Sequence, residues 1–252
     1  MRLNVAQAVS ARRGTRLRLV LTTALALVAA PAFAGDRAQL DVIGYSADGQ
    51  YFAFEQYGIH DGSGGYYSDV FVLDLSNDKW LPGVPFSARH EDGEDPANDL
   101  AGTRADARKG AEQLIAQYGI ANPASIAALN GDGVPELDGK TLRFGRPIYS
   151  GIDGDSTLTL TQVDATSPNP CQDYSDERPQ GYELTLHSEA GETVLHVDKA
   201  LPASRGCPLE YSLYSVIYPL EGEGAPVAFI SVYTQGFEGP DRRFIALPLP
   251  LQ

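Results

Sequence analysis

No C-x-x-C pair, no G-x-S-x-G elbow and no phosphate-cradling glycine motif occurs in this sequence, and only four histidines are present. The first absence removes a redox dithiol, the second an α/β-hydrolase nucleophile, and the third a nucleotide-phosphate site. A zinc site needs three or four ligands, and His187 and His196 on one hairpin supply two. His60 and His90 stand in separate loops, so a hydrolase is left without a motif behind it.

Basic residues are also scarce, 19 against 33 acidic. Five of the 19 (Arg2, Arg12, Arg13, Arg16 and Arg18) fall in the first 34 residues, which leaves 14 basic against 33 acidic and a formal charge of −19 beyond them. So acidic a surface excludes nucleic acid as a natural partner and disfavours anionic lipid headgroups.

Long apolar runs are missing after residue 30. The run from Leu19 to Ala30 is shorter than the roughly 20 residues a membrane span requires. It follows the arginines and precedes Ala32-Phe33-Ala34, the order of a secretory signal peptide. The sequence therefore predicts a signal over 1–34, cut before Gly35, and a single β-rich domain over 35–252. No transmembrane segment is expected after signal removal, and the location is periplasmic or secreted. Gly14-Thr15-Arg16 after Arg12-Arg13 fits the general export route better than the twin-arginine one. The two cysteines, Cys171 and Cys207, then read as a disulfide.

What is present is alternation. Phe52 and Phe54 alternate with Tyr51, Ala53 and Glu55, and Phe71, Leu73 and Leu75 share one face of the next run. Ser46-Ala47-Asp48-Gly49 supplies the turn before them, and a glycine-rich loop from Gly58 to Tyr66 follows. Residues 81–98 carry Pro82, Pro85, Pro96 and an acidic run, and read as an exposed connection. Over 100–118, Ala107, Ala111, Leu114, Ile115 and Tyr118 form one helical stripe ending at Gly119, which predicts a surface helix against the sheet edge. Residues 126–155 are turn-rich with one strand at Leu142, Phe144 and Ile148, and 157–163 is another strand. Residues 181–199 form a hairpin about Ala190-Gly191, which sets Leu195 and Val197 opposite Leu186 and Leu184 and puts His187 and His196 on the outer face.

The end of the chain repeats its beginning. Ser215-Val216-Ile217, Val227-Ala228-Phe229 and Phe244-Ile245-Ala246-Leu247 answer Asp41-Val42-Ile43, Phe52-Ala53-Phe54 and Val70-Phe71-Val72-Leu73 in order and spacing. Each copy holds a glycine-bearing turn and a glycine-rich tip. The fold class that follows is mainly β, with two antiparallel blade-like (propeller-like) sheets, the middle of the chain between them, and one surface helix.

The pattern SADGQYFAFEQYG…SDVFVLDL over 44–75 resembles the blade motif of TolB-type propellers. The longer stretch AGDRAQLDVIGYSADGQYFAFEQYGIHDGSGGYYSDVFVLDLSNDKWLPG resembles the bacterial predicted-secreted-protein family called domain of unknown function 2259. That resemblance implies an exported bacterial protein and transfers no catalytic residue.

Two binding sites are expected. The glycine-rich tips at 58–67 and 234–240 predict a non-enzymatic exported module that holds a protein or cell-envelope component through Gly64, Gly65, Tyr66, Tyr67, Gly236 and Phe237. Asn130-Gly131-Asp132-Gly133-Val134-Pro135-Glu136 looks like the calcium loop of integrin-type propeller repeats. It makes a calcium-dependent module the alternative, with Asn130, Asp132 and Glu136 as oxygen ligands.

Overall fold

The computed structural model describes residues 35–91, 93, 99–131, 138–171 and 178–251. Strands β1 (Gln39–Ser46), β2 (Tyr51–Ile59) and β3 (Tyr66–Asp74) form the expected antiparallel meander. Its first turn is built by Asp48, whose Oδ1 accepts from Ser46 Oγ at 2.6 Å and from the Gln50 amide at 3.1 Å, while Gly49 takes φ +68°. Strands β4 (Lys79–Trp80) and β5 (Phe86–His90) both pair with β3. Residues 81–98 are therefore not one exposed connection. Ser87 and Arg89 alternate with Phe86, Ala88 and His90 as a short strand, and Arg89 grips Asp69 at 2.8 and 3.0 Å. Prolines flank this strand without entering it, which hid its period of two.

Helix α1 (Leu100–Gln117) starts where Asp99 Oδ1 accepts from the Gly102 amide at 2.8 Å and stops at Gly119, φ +60°. The predicted stripe is the buried one, but it covers the face of the sheet, not its edge. Ala107 and Ala111 meet Val70, Phe86 and Ala88, and Leu114, Ile115 and Tyr118 meet Ala53 and Val72. Alanines let the helix lie close to the strands.

Beneath the helix lies Glu55, fully buried, its carboxylate accepting from Arg104 Nε and Nη2 at 2.9 Å, Arg108 Nε at 2.7 Å and Ser68 Oγ at 2.8 Å. Burial pushes the Glu55 carboxyl pKa up, but Arg104, Ser68 and Arg108 together outweigh it, and the net direction is down. A carboxyl depressed in the folded state stabilises fully above its unfolded pKa and loses that stabilisation as pH falls through the folded value. Glu55→Gln is thus expected to cost about 3 kcal/mol at neutral pH, the scale of a broken buried ion pair. Melting curves of the two proteins should converge as the pH is lowered. Parallel curves down to acid pH would contradict this.

Sheet 1 has the order β4-β3-β2-β1-β6, where β6 is Ile120–Asn122 and β5 also lies against β3. Sheet 2 is β11-β10-β9-β8, from β8 (Thr141–Ile148), β9 (Gly151–Asp164), β10 (Gln180–Ser188) and β11 (Gly191–Val197). Sheet 3 is β14-β13-β12-β7, from β7 (Ala124–Leu129), β12 (Pro208–Pro219), β13 (Val227–Thr234) and β14 (Asp241–Pro248). The alanine-rich β7 overlaps the start of the stretch read as turns and is held by β12.

Sheet 3 is the middle layer. Along β13, Val227 and Phe229 pack with Phe52, Phe54 and Phe71 of sheet 1, while Ala228, Ile230 and Val232 pack with Leu158, Leu160 and Leu184 of sheet 2. A near-continuous apolar run is what a strand buried on both faces requires. The repeat-derived picture is corrected in one respect. The two repeated meanders face each other directly, and the middle of the chain forms a third sheet on the far side of the second.

The β10–β11 register also differs from expectation. Ser188 pairs with Gly191 around Glu189-Ala190, and a bulge after Leu184 sets His196 opposite it. The extra residue turns His196 inward and leaves Val197 40% exposed. Cys171 and Cys207 bracket this hairpin as a disulfide, Cα–Cα 5.5 Å, as their count predicts.

Residues 36–38 run beside β14: the Ala38 amide donates to the Arg242 carbonyl at 3.2 Å and the Arg242 amide to the Asp36 carbonyl at 2.8 Å. This short segment ties the entry to sheet 1 onto the free edge of sheet 3.

Candidate functional cleft

A cleft of about 330 Å³ opens along β14, where residues of all three sheets converge. β14 supplies Arg243 to Leu247 and β13 supplies Val232 and Thr234. Sheet 1 and its β3–β4 turn supply Gln56, Phe71, Asp78 and Trp80, and sheet 2 with the following turn supplies Tyr182, His196, Pro202, Ser204 and Arg205.

The β3–β4 turn is set by Asp74, whose Oδ1 accepts from the amides of Ser76 at 3.0 Å and Asn77 at 3.2 Å. Asp78 then adopts φ +48°, a conformation short polar residues tolerate. The result places Asp78 and Trp80 on the rim. Trp80 stands edge-on to Phe71 at 5.0 Å and stays 48% exposed. Desolvation raises the Asp78 carboxyl pKa, with His196 across the mouth pulling the other way.

On the sheet 2 wall, His196 stacks on Tyr182 at 4.6 Å, and its Nε2 lies 3.0 Å from Asp198 Oδ1. Asp198 is buried; its Oδ2 accepts from the Tyr182 amide at 3.1 Å and from Arg205. Burial works to raise the Asp198 pKa, but His196 and Arg205 overcome it and the carboxyl is held low. The Arg205 guanidinium lies over the rings of Tyr182 at 5.4 Å and Tyr211 at 6.0 Å. Behind it the Tyr211 hydroxyl is buried, and burial pushes its pKa up to about 12 against the pull of Arg205.

On the opposite wall, Gln56 is 6% exposed, and its Oε1 accepts from the Phe244 amide at 2.9 Å. That bond fixes which end of the amide is nitrogen, and the NH2 has no hydrogen-bond partner among the described residues. Arg243 extends from β14 to Asp36 Oδ2 at 2.6 Å and lies over Tyr67 at 4.4 Å. The arrangement is an apolar floor, an aromatic rim and a few convergent donors, the usual make-up of a small-molecule site.

The two glycine-rich tips lie together beside this cleft's β14 end. Asp61 Oδ2 accepts from the Glu238 amide at 3.1 Å, and the Phe237 ring covers Gly62, where a Cβ would stand 3.3 Å from it. Phe237 itself is 82% exposed. The Gly64 amide donates to the His60 carbonyl at 3.0 Å, and His60 in turn donates to that of Gly65 at 2.7 Å. At Gly236 a side chain would collide with Asp241 and the Gly239 carbonyl. Tyr66 opens β3 and is half-buried. Tyr67 does not line a surface groove. It is fully buried, because the strand's alternation turns it inward, and its hydroxyl donates to Asp36 Oδ1 at 2.6 Å.

Asn130 is buried, and its Nδ2 donates to the carbonyls of Leu213 at 3.0 Å and Thr141 at 3.3 Å, which ties the end of β7 to β12 and β8. Asp132 and Glu136 lie outside the described residues. Among the described residues no group of three or more His, Cys, Asp or Glu side chains is placed to hold a metal ion. No helix among them is long and apolar enough to cross a membrane.

Sequence reasoning missed Gln56, Asp78, Arg205 and Arg243, and it set His196 on the wrong face. These residues are distant in sequence and meet only because sheet 3 lies between the other two. The one available signal was the repeat, which makes β14 the third strand of its meander as β3 is of the first. A family model described as predicted secreted protein (DUF2259) matches residues 53–249, a span that contains every cleft residue. No curated protein and no solved structure matches the chain.

Proposed function

The chain belongs to the predicted secreted protein family DUF2259, and from that premise we propose that it is an exported, non-enzymatic protein that binds a small molecule in the cleft along β14. The observation that carries this reading is the cleft itself: about 330 Å³, lined by residues of three sheets, with aromatic rings at the rim and polar groups converging inside. Residues 1–34 act as the export signal and the working protein begins at Gly35. Gly35 sits where any side chain would strike the Pro240 carbonyl, and Asp36 beside it is buried, which supports a mature chain that keeps both. In a bacterial envelope this places the protein in the periplasm or outside the cell.

Trp80, the sole tryptophan, gives the test its readout. Small molecules of varied charge are titrated against the mature protein while Trp80 fluorescence and the melting temperature are followed. At least one compound is expected to shift both, since a ligand of the native state must raise its stability. Ser204→Phe, at an exposed position on the cleft wall, should weaken that compound about tenfold by occupying its space. Shifts that are indifferent to Ser204→Phe, or no shift with any compound, would contradict the reading.

A second reading rests on the contact between the tips. Asp61, Gly62, Phe237 and Glu238 form one joined, exposed surface with an aromatic at its centre, suited to capture of a protein or envelope component. Both readings use the same end of the molecule.

A further inference from the structure

We propose that the cleft selects a small organic carboxylate with an apolar or aromatic body. This rests on the cleft being a ligand site and adds the chemical class of what it takes.

The inference comes from a mismatch between donors and acceptors. Gln56 is more than nine-tenths buried and lines the cleft, and its acceptor oxygen is already used by the Phe244 amide. What it offers is an NH2 group with two hydrogens and no partner among the described residues. Arg205 uses Nη1 on Asp198 and lies stacked on tyrosines, so its planar fork is oriented and only partly engaged. The only carboxylate among the lining residues, Asp78, is at the rim. The Gln56 NH2 and the remaining Arg205 N–H groups, donors lining the same cleft, are complementary to a ligand group that only accepts. A carboxylate is that group, and it matches an arginine fork and an amide at once.

The rest of the lining fixes the body of the ligand. Phe71, Val232, Phe244 and Leu247 present apolar surface, and Trp80 can cover whatever lies on it. A volume of about 330 Å³ is at the small end of ligand sites, which suits a monocarboxylic acid and excludes a peptide or a polymer.

The test compares phenylacetate, hydrocinnamate and octanoate with their primary amides and with phenethylamine and octylamine, read by Trp80 fluorescence and by calorimetry on the mature protein. At least one acid is expected to bind, with its amide about tenfold weaker and the matching amine weaker still, as a lost charge-assisted hydrogen bond requires. Gln56→Glu keeps the acceptor that Phe244 uses and exchanges the NH2 for a carboxylate oxygen, so it should abolish acid binding and favour the amine. Should Gln56→Glu not fold, Arg205→Lys keeps a cation beside Asp198 but loses the fork, and should weaken the acid about tenfold. Amides or amines that bind as well as the acids would overturn the carboxylate while leaving the cleft as a ligand site. Silence from compounds of every charge would remove the cleft reading itself.

Discussion

Asp36→Ala is expected to destabilise the protein by about 3–5 kcal/mol, the cost of stripping one partner from a buried charge pair. The Asp36 side chain is 2% exposed and serves three donors: Tyr67 Oη at 2.6 Å, Arg243 Nη2 at 2.6 Å and His60 Nδ1 at 3.1 Å. Without it, the fully buried Tyr67 hydroxyl loses its acceptor and Arg243 is left at the cleft without its counter-charge. Asp36→Asn retains one acceptor oxygen but turns an NH2 toward another donor, so it should fall between alanine and wild type. Urea unfolding of the three proteins checks this order. A loss under about 1 kcal/mol for alanine would mean that the entry segment is an appendage and not part of the core. The lesion should also reach function, because Arg243 lines the cleft.

Phe229→Ala is expected to cost about 3–5 kcal/mol, the range for emptying a large aromatic site in a core that cannot close over it. Phe229 is fully buried at the centre of β13, with its ring 5.1 Å from Phe54, 6.0 Å from Phe52 and 6.4 Å from Phe244. Phe52 and Phe54 face it from β2 across the gap between sheets 1 and 3, and Phe244 comes from β14, which pairs with β13, so a void there opens both layers. The near-perpendicular contact with Phe54, 80° between planes, should appear as coupling of about 0.5–1.5 kcal/mol in a double-mutant cycle. Phe237→Ala, on the exposed tip, makes the control and should change stability by less than about 0.5 kcal/mol. Equal effects at the two positions would contradict the layered core.

The sequence was most legible where one physical signal dominated. Alternation located β1, β2, β3 and β10, because each places aromatic or branched residues on a face that must be buried, and the repeat located β12 to β14. The stripe of Ala107, Ala111, Leu114 and Ile115 located α1, and the even cysteine count located the disulfide. Where signals conflicted, legibility failed. β5 sits between prolines and acidic residues, and half of β7 is alanine, a poor strand former that pairing with β12 overrides. The bulge after Leu184 has no marker in the local pattern, yet it moves His196 from the surface to the cleft. Packing order was beyond the pattern altogether. The repeat identified two equivalent meanders, but nothing local says that the later one becomes the central layer with a third sheet behind it. Since the cleft is a product of that packing order, its residues could not be assembled from spacing alone.

Native mass spectrometry of the full-length protein, taken gently from its own cell envelope before any dialysis, tests the central claim most directly. The account predicts a mature chain beginning at Gly35 that carries a bound small molecule. That molecule should be lost when Ser204→Phe fills the cleft and kept when Phe237→Ala alters the tip. A molecule retained by the filled cleft, or a chain that arrives with nothing bound and stays so when offered the envelope's small-molecule extract, would contradict it.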